Sequence, residues 1–218
     1  MDIVIVPVAH VSKESVLAVE ETIAREKPNV VAVELDQQRL IAMFNHQKPK
    51  LIDMLRNPLF TLLYLSQQTI GKILGISPGG EMFAAVEAAR KANIPVAVVD
   101  RPMSETLAHL SKIPLSEKAI IVANLLMTPL VFLPIPFVKR VSPDSLAKGG
   151  LPEELLAEFK KSLPQTYKAL VEERDEYITN HVLMIKAEKV VLVIGAGHVK
   201  GIQERIKEKL ASQEHVAS

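Results

Sequence analysis

Four residues with chemically active side chains lie at or shortly after the ends of short aliphatic runs of the chain. The runs lie at residues 3–8, 29–33, 95–99 and 190–194, and the residues that follow them are His10, Glu34, Asp100 and His198. Two imidazoles and two carboxylates around one space could bind a divalent metal ion or form an acid/base set. Each residue taken alone also has an ordinary explanation, because polar side chains often cap the helix that follows a strand.

The four runs are apolar without alternation, which is typical of parallel strands covered by helices on both faces. Residues 12–27 place apolar side chains at helical spacing between the first two runs, and residues 78–99 repeat the plan of glycine turn, helix and strand. We therefore expect an α/β fold with a mostly parallel central sheet flanked by helices. Ligands bind outside the carboxyl ends of such strands, so the four residues converge if the strands are neighbours.

The chain between the third and fourth runs is predicted to be a large helical insertion, at about residues 102–186, within a single domain of residues 1–218. Further helices are predicted at 38–46 and at about 50–74. Residues 142–154 are rich in Pro, Ser, Asp and Gly and predict an exposed loop.

Arg174 interrupts an apolar stripe that includes Leu170, Val171, Ile178 and Val182 at spacings of three and four. A buried guanidinium needs an anionic partner, so Arg174 either forms a structural ion pair or binds a substrate carbonyl or carboxylate.

Three further residues are candidate substrate contacts because they adjoin the strand ends or a helix start: Glu81, Arg101 and Gly197. For Glu81 the ordinary explanation is the stronger one, since a carboxylate at a helix start is favoured by the helix dipole.

The glycines at 195, 197 and 201 resemble a dinucleotide-binding turn. Only about twenty residues follow them, without a second strand that ends in an acidic residue, so no dinucleotide is expected. The glycines more simply allow close approach of the backbone to a ligand or to a neighbouring strand.

The balance of 26 Lys and Arg against 25 Asp and Glu gives a net charge of +1, and no nucleic-acid partner is expected. The chain has no cysteine, which excludes disulfides and a cysteine nucleophile. The first residues lack a basic stretch, so we expect no signal peptide and a location in the cytoplasm or on the cytoplasmic face of a membrane.

Residues 119–138 carry no charge over a length that could cross a bilayer, but three prolines oppose a spanning helix. The pattern predicts a buried helix at about 117–127 followed by an apolar loop. The alternative is contact with a membrane surface or with a second subunit, and we expect a homodimer.

Six blocks in order, VAHVSKESV, PNVVAVELDQQRL, PGGEM, VDRP, ERDEYI and VIGAGHVKGI, resemble the TraB family, which includes the pheromone shutdown proteins. The blocks extend from His10 to Ile202. The resemblance places the chain in a superfamily with Tiki proteases, haem-binding ChaN-like proteins and erythromycin esterases. Many microbial members carry hydrophobic spans after this domain, which implies possible membrane contact through such spans.

The family has two Gly-x-x-His motifs, and the second is intact at residues 195–198. In the first, Pro7 replaces the glycine while His10 is retained. Glu34 and Arg174 also match family positions. The resemblance thus implies a hydrolase of peptides or esters with catalytic residues His10, Glu34, Arg174 and His198.

The favoured hypothesis is a metal-dependent peptidase that binds Mn, Co or Zn through His10, Glu34, His198 and Asp100 and activates a water molecule. A metal-free route would use a histidine as base, Glu34 to orient it, and Arg174 for the oxyanion. A different class remains open, namely a non-catalytic peptide-binding or membrane-associated regulatory protein.

Overall fold

One parallel sheet of four strands forms the centre of the molecule, in a computed structural model that describes residues 1–8, 13–45, 61, 80–131 and 153–217. The strands are β1 (Asp2–Val8), β2 (Val30–Val33), β3 (Val96–Val98) and β4 (Lys189–Gly195). Their order across the sheet is β1-β4-β2-β3, and all paired strands are parallel. The predicted fold class and the four predicted strands are confirmed.

Helices cover the sheet and fill the chain between its strands. They are α1 (Lys13–Glu26), α2 (Gln37–Phe44), α3 (Gly80–Lys91), α4 (Met103–Lys112), α5 (Leu115–Val131), α6 (Glu153–Ser162), α7 (Pro164–Tyr167), α8 (Glu173–Leu183) and α9 (Val199–Ala217). A π-helical turn, Lys168–Glu172, joins α7 to α8, and a 3-10 turn, Ala196–His198, joins β4 to α9. The helices α4 to α8 stand in the predicted insertion, and α2 confirms the predicted helix at 38–46. The helix predicted at about 50–74 and the loop predicted at 142–154 lie largely outside the described residues.

Two apolar layers lie on the two faces of the sheet, which explains why the strands do not alternate in hydropathy. Along β4, Val191 and Val193 pack in one layer, together with residues of α1 and α3. Leu192 and Ile194 pack in the other layer, with residues of α8 and α9. The helix α8 is therefore anchored on the sheet next to the end of β4.

Glu117 holds the insertion together at the start of α7. Its carboxylate accepts hydrogen bonds from the backbone N–H groups of Gln165 (3.0 Å) and Thr166 (2.8 Å) and from the Thr166 hydroxyl (2.6 Å). Burial is the largest influence and opposes ionisation, but the three hydrogen bonds outweigh it and lower the pKa of Glu117. This anion at a helix N-terminus fixes the chain that leads to α8.

The helix α5 contains the helix predicted at 117–127, and Glu117 is buried, but two of its apolar side chains are exposed. Ile120 is 41% and Val122 is 38% exposed. Ile121 packs at the edge of a small cluster with Leu110 and Ile113. The predicted burial is wrong for Ile120 and Val122, because among the described residues of this part of α5 only Ile121 packs on that cluster. Within the described ranges, no helix combines the length and hydropathy that crossing a membrane requires.

Candidate functional site

The strand order brings three of the predicted residues to one edge of the sheet. Since β4 pairs with both β1 and β2, and β2 pairs with β3, the carboxyl ends of all four strands are neighbours. Glu34, Asp100 and His198 follow three of these ends, and all three are buried. His10, which follows β1 in the sequence, lies outside the described residues.

Arg174, which projects from α8, lies at the centre of this edge. Its Nη2 donates to Glu34 Oε1 at 2.5 Å and to Asp100 Oδ2 at 2.7 Å, and its Nε donates to Asp100 Oδ1 at 3.1 Å. Burial is the largest influence and opposes the charged form, but the two carboxylates outweigh it and raise the pKa of Arg174. Arg174 is therefore a fixed cation held by two carboxylates, one of them bidentate.

Glu34 joins this cation to the end of β4. Its Oε2 accepts a hydrogen bond of 2.6 Å from the backbone N–H of Gly195, while Oε1 lies 3.5 Å from His198 Nε2. The second Gly-x-x-His motif therefore begins with a glycine whose N–H donates to the acidic residue that follows β2. The predicted association of Glu34 with the motif is present in the fold.

His198 is oriented by Asp175, a residue that the sequence analysis did not identify. The Nδ1 of His198 lies 2.6 Å from Asp175 Oδ1, and its Nε2 lies 3.4 Å from Arg174 Nη1. In neutral imidazole this arrangement puts the proton on Nδ1, where Asp175 accepts it, and leaves the lone pair on Nε2. Burial raises the pKa of Asp175, and the hydrogen bond with His198 acts in the opposite direction.

Gly201 gives Asp175 the space that it occupies. A Cβ atom at position 201 would lie 2.1 Å from Asp175 Oδ2 and 3.1 Å from its Cγ. Arg205, one turn further along α9, lies 3.7 Å from the same oxygen. The close approach expected at the glycines is therefore found here, but it is made by a side chain of α8 and not by a neighbouring strand.

The spacing of Asp175 from its apolar neighbours in the sequence indicates that Asp175 is buried. It precedes the buried residues Ile178 and Val182 by three and seven positions, so it lies on the face of α8 that packs on the sheet. A carboxylate on such a face needs a partner, and His198 supplies one.

Arg39 was also missed, although it lies beside Arg174. Its Nη1 donates to Asp100 Oδ2 at 3.1 Å, and its backbone N–H donates to Asp36, which caps α2. Its position in the first turn of α2 is where a polar residue is usually exposed, so the pattern carried no indication of this contact.

The three predicted substrate contacts lie at different places. Arg101 is buried, and its guanidinium bonds to Thr106, Glu173 and the carbonyl of Ala169. Glu81 is buried at the start of α3, and Gly197 lines a cavity. Contact of these three residues with a substrate stays a prediction.

The cavity has a volume of about 430 Å³ and opens beside Asp175, on the side of His198 that faces Nδ1. Cationic and acidic side chains both line it, among them Lys160, Glu172 and Arg205. Lys160 and Glu172 already form an ion pair at 2.7 Å. The lining therefore gives no preference for one sign of charge in a ligand.

The predicted metal ligands within the described residues do not fit a metal ion as they are arranged. Asp100 directs both carboxylate oxygens to Arg174 and Glu34 directs Oε1 to it, so a divalent cation would have to share that space with a guanidinium. Among the residues that the structure describes, no group of three or more His, Asp or Glu side chains is placed to hold a metal. Because His10 is not among them, metal binding stays a prediction.

Comparison with known proteins agrees with the motifs. The model of the TraB/PrgY/gumN family matches residues 137–214, a range that includes Arg174 and the second Gly-x-x-His motif. An uncharacterised protein of Methanocaldococcus jannaschii is 32% identical over 95% of this chain and 54% of its own length. TraB domain-containing proteins of Bos taurus and Homo sapiens are 28% and 27% identical over 96% of this chain and 64% of their own length.

The chain thus spans between half and two thirds of the length of these relatives. The matched regions include the residues that meet at the strand ends, and the motif resemblance, the family match and the named relatives all agree. The chain belongs to the TraB family.

Proposed function

We propose that the chain is a hydrolase of peptide or ester bonds in which His198 is the general base and Arg174 stabilises the oxyanion. The observation that carries the proposal is the order Asp175–His198–Arg174, an imidazole held by a buried carboxylate on one side and facing a fixed guanidinium on the other. A base oriented by a third group is a recurring arrangement of hydrolytic sites.

The exposure of the side chains supports the same roles. The side chains of Arg174 and His198 are 17% and 11% exposed, whereas those of Glu34 and Asp175 are 4% and 3% exposed. The guanidinium and the imidazole are therefore the more accessible groups of the cluster. The carboxylates behind them hold the two groups in place.

In the proposed reaction, Nε2 of His198 takes a proton from a water molecule whose oxygen attacks the substrate carbonyl carbon. Negative charge then develops on the carbonyl oxygen, next to Arg174. Asp175 stabilises the imidazolium that forms, and His198 returns the proton to the leaving amine or alcohol as the bond breaks. General-base catalysis contributes about 10²–10⁴-fold, and one oxyanion donor about 10²–10³-fold.

The metal-dependent peptidase is kept as a separate hypothesis, in which Mn, Co or Zn binds to His10, Glu34, His198 and Asp100. It requires the two carboxylates to release Arg174, since they now direct their oxygens to it. Elemental analysis of the purified protein, and of a variant with His10 and His198 both replaced by alanine, tests this hypothesis.

A library of short peptides and of aromatic esters, assayed before and after treatment with a chelator, tests the hydrolase proposal. We expect His198→Ala to lower kcat by about 10²-fold or more on any cleaved substrate. His181→Ala is the matched control, because His181 lies on the same helix, where it stacks on Tyr177 and contacts its backbone carbonyl. Turnover of His198→Ala at the wild-type rate contradicts the proposal, and activity that a chelator removes and a metal restores supports the metal-dependent form.

The alternative is a non-catalytic protein that binds a membrane or a second subunit. The exposed apolar side chains of α5, such as Ile120 and Val122, favour it. Flotation with liposomes and sedimentation equilibrium test both kinds of contact. Replacement of Ile120 and Val122 by serine would abolish either contact if α5 carries it.

A further inference from the structure

A π-helical turn directly precedes the residue that the proposed function depends on most. Lys168–Glu172 interrupts the helical path between α7 and α8, and Arg174 follows two residues later. An α-helix rotates by about 100° per residue, so one extra residue in a turn changes the face on which all later side chains project. The π-turn therefore decides whether Arg174 points to Glu34 and Asp100 or away from them.

In such a turn some backbone carbonyl groups lose their usual helical N–H donors. Here two guanidinium groups donate to those carbonyls instead. Arg101 Nη2 donates to the carbonyl of Ala169, and Arg174 Nη1 lies 3.5 Å from the carbonyl of Leu170. The π-turn is thus held from outside by a residue of the loop that follows β3.

Arg101 contacts both Asp100, which binds the Arg174 side chain, and the backbone segment that precedes Arg174. Its backbone N–H donates to Asp100 Oδ1 at 2.9 Å, the same oxygen that accepts from Arg174 Nε. Its side chain donates to Glu173 Oε2 at 3.0 Å and to Thr106 Oγ1 at 2.9 Å. Arg101 therefore holds both the carboxylate that Arg174 binds and the backbone from which Arg174 projects.

Glu173 completes this connection. Its carboxylate contacts both Arg101 and His109. Burial is the largest influence and opposes ionisation, but the hydrogen bonds from His109 and Arg101 outweigh it and lower the pKa of Glu173. The residue immediately before Arg174 is thus kept as an anion against the Arg101 guanidinium.

We propose that Arg101 is a positioning residue, which sets Arg174 against His198 by clamping the π-turn to the loop after β3. The inference rests on the proposed function for its catalytic consequence, but its structural part does not depend on any substrate. A lysine at 101 keeps the charge but cannot reach Thr106, Glu173 and the Ala169 carbonyl with one ammonium group. Arg101→Lys therefore tests whether the several hydrogen bonds of the planar guanidinium, and not its charge alone, are needed to position Arg174.

The test compares Arg101→Lys with wild type by NMR of the Arg174 Nε–H and of the ring nitrogens of His198, assigned with Arg174→Lys and His198→Ala. In the wild type the Nε–H is bound to Asp100, which protects it from exchange with solvent. We expect Arg101→Lys to keep the fold, to speed exchange of this proton about tenfold or more, and to shift the His198 ring signals.

Ile23→Val is the control for general loosening, because Ile23 lies in the apolar layer on the opposite face of the sheet. If Arg101→Lys leaves the Arg174 and His198 signals unchanged, or changes them no more than Ile23→Val does, the inference is overturned.

Kinetics give an independent readout once a substrate is known. Arg101→Lys should lower kcat about 10- to 100-fold while KM changes little, because misplacement of a catalytic group by about 1 Å has an effect of this size. Equal kcat for Arg101→Lys and wild type overturns the catalytic part. If no variant, including wild type, shows turnover, the proposed function fails, and the NMR comparison alone decides whether Arg101 positions Arg174.

Discussion

Replacing Gly201 by alanine tests the packing that places Asp175 behind His198. The added Cβ would lie 2.1 Å from Asp175 Oδ2, whereas non-bonded atoms approach to about 3.5 Å. The carboxylate must therefore move by roughly 1 Å or more. Its other oxygen lies 2.6 Å from His198 Nδ1, so this movement lengthens or breaks the bond that orients the imidazole.

Two opposing effects set the change in the free energy of unfolding. Overpacking at a buried position costs about 1–3 kcal/mol, and alanine in place of glycine within a helix gains up to about 1 kcal/mol. We expect Gly201→Ala to be less stable than wild type by up to about 3 kcal/mol. Gly80→Ala is the matched control, since a Cβ at Gly80, the first residue of α3, would meet no atom of the described residues within 4 Å and the overpacking does not apply.

Urea unfolding of the two variants, followed by circular dichroism, measures these differences, and the ring nitrogen signals of His198 report on the bond to Asp175. The expected result is lower stability with altered His198 signals for Gly201→Ala, and equal or higher stability with unaltered signals for Gly80→Ala. If Gly201→Ala gains stability as Gly80→Ala does and leaves His198 unchanged, the proposed contact between α9 and Asp175 is refuted.

Three further predictions concern the charged groups. Arg174→Met removes the guanidinium that both buried carboxylates, Glu34 and Asp100, share, and leaves Asp100 with Arg39. It should cost about 3–5 kcal/mol in urea unfolding, with Arg174→Lys in between, and an unchanged midpoint for Arg174→Met would contradict this. Burial raises the pKa of Asp175 above 3.8, so the protonated carboxyl stabilises the fold at low pH, and this contribution is lost as the pH rises from 3.8 through the raised value. Asp175→Asn lacks this titration, so its stability should fall less than that of wild type over the same pH range. Parallel curves of stability against pH would contradict this. The pKa of Glu117 is lowered from 4.5, so Glu117 stabilises the fold above that pH, and Glu117→Gln should cost about 1–3 kcal/mol at neutral pH, by a margin that shrinks as the pH falls below 4.5 in the same assay.

The convergence of polar residues at the strand ends could be predicted because its cause is local. Aliphatic runs without alternation identify buried parallel strands, and the residue after each run must then lie at the carboxyl edge. The adjacency of β1, β4 and β2 could not be predicted, since no local pattern states that the last strand inserts between the first two. Glu34, Asp100, Arg174 and His198 were therefore identified individually, while their contacts were not.

The partners of these residues depend on long-range packing. Asp175 contacts His198 only because Gly201 lets α8 and α9 approach each other closely. The π-turn before Arg174 has no sequence signature. The apolar stripe around Arg174 was therefore predicted from the 3.6-residue period of a regular α-helix, which does not include the extra residue of a π-turn. Arg101 was interpreted as a substrate contact from its place after β3. Its bonds to Glu173 and Ala169 join segments that are about 70 positions apart, so no local pattern could predict them.

The position of β4 in the sheet has a consequence for how the protein is made. β4 pairs with β1 along its whole length and with β2 on its other edge, yet about 150 residues separate the end of β2 from its start. On the ribosome, β1 cannot pair with β4 until residues 189–195 have been synthesised, and closing so long a loop slows folding. The strand edges of β1 and β2 are meanwhile open to pairing with other chains, so a nascent chain stalled before residue 189 should bind chaperones more strongly than one that extends past α9.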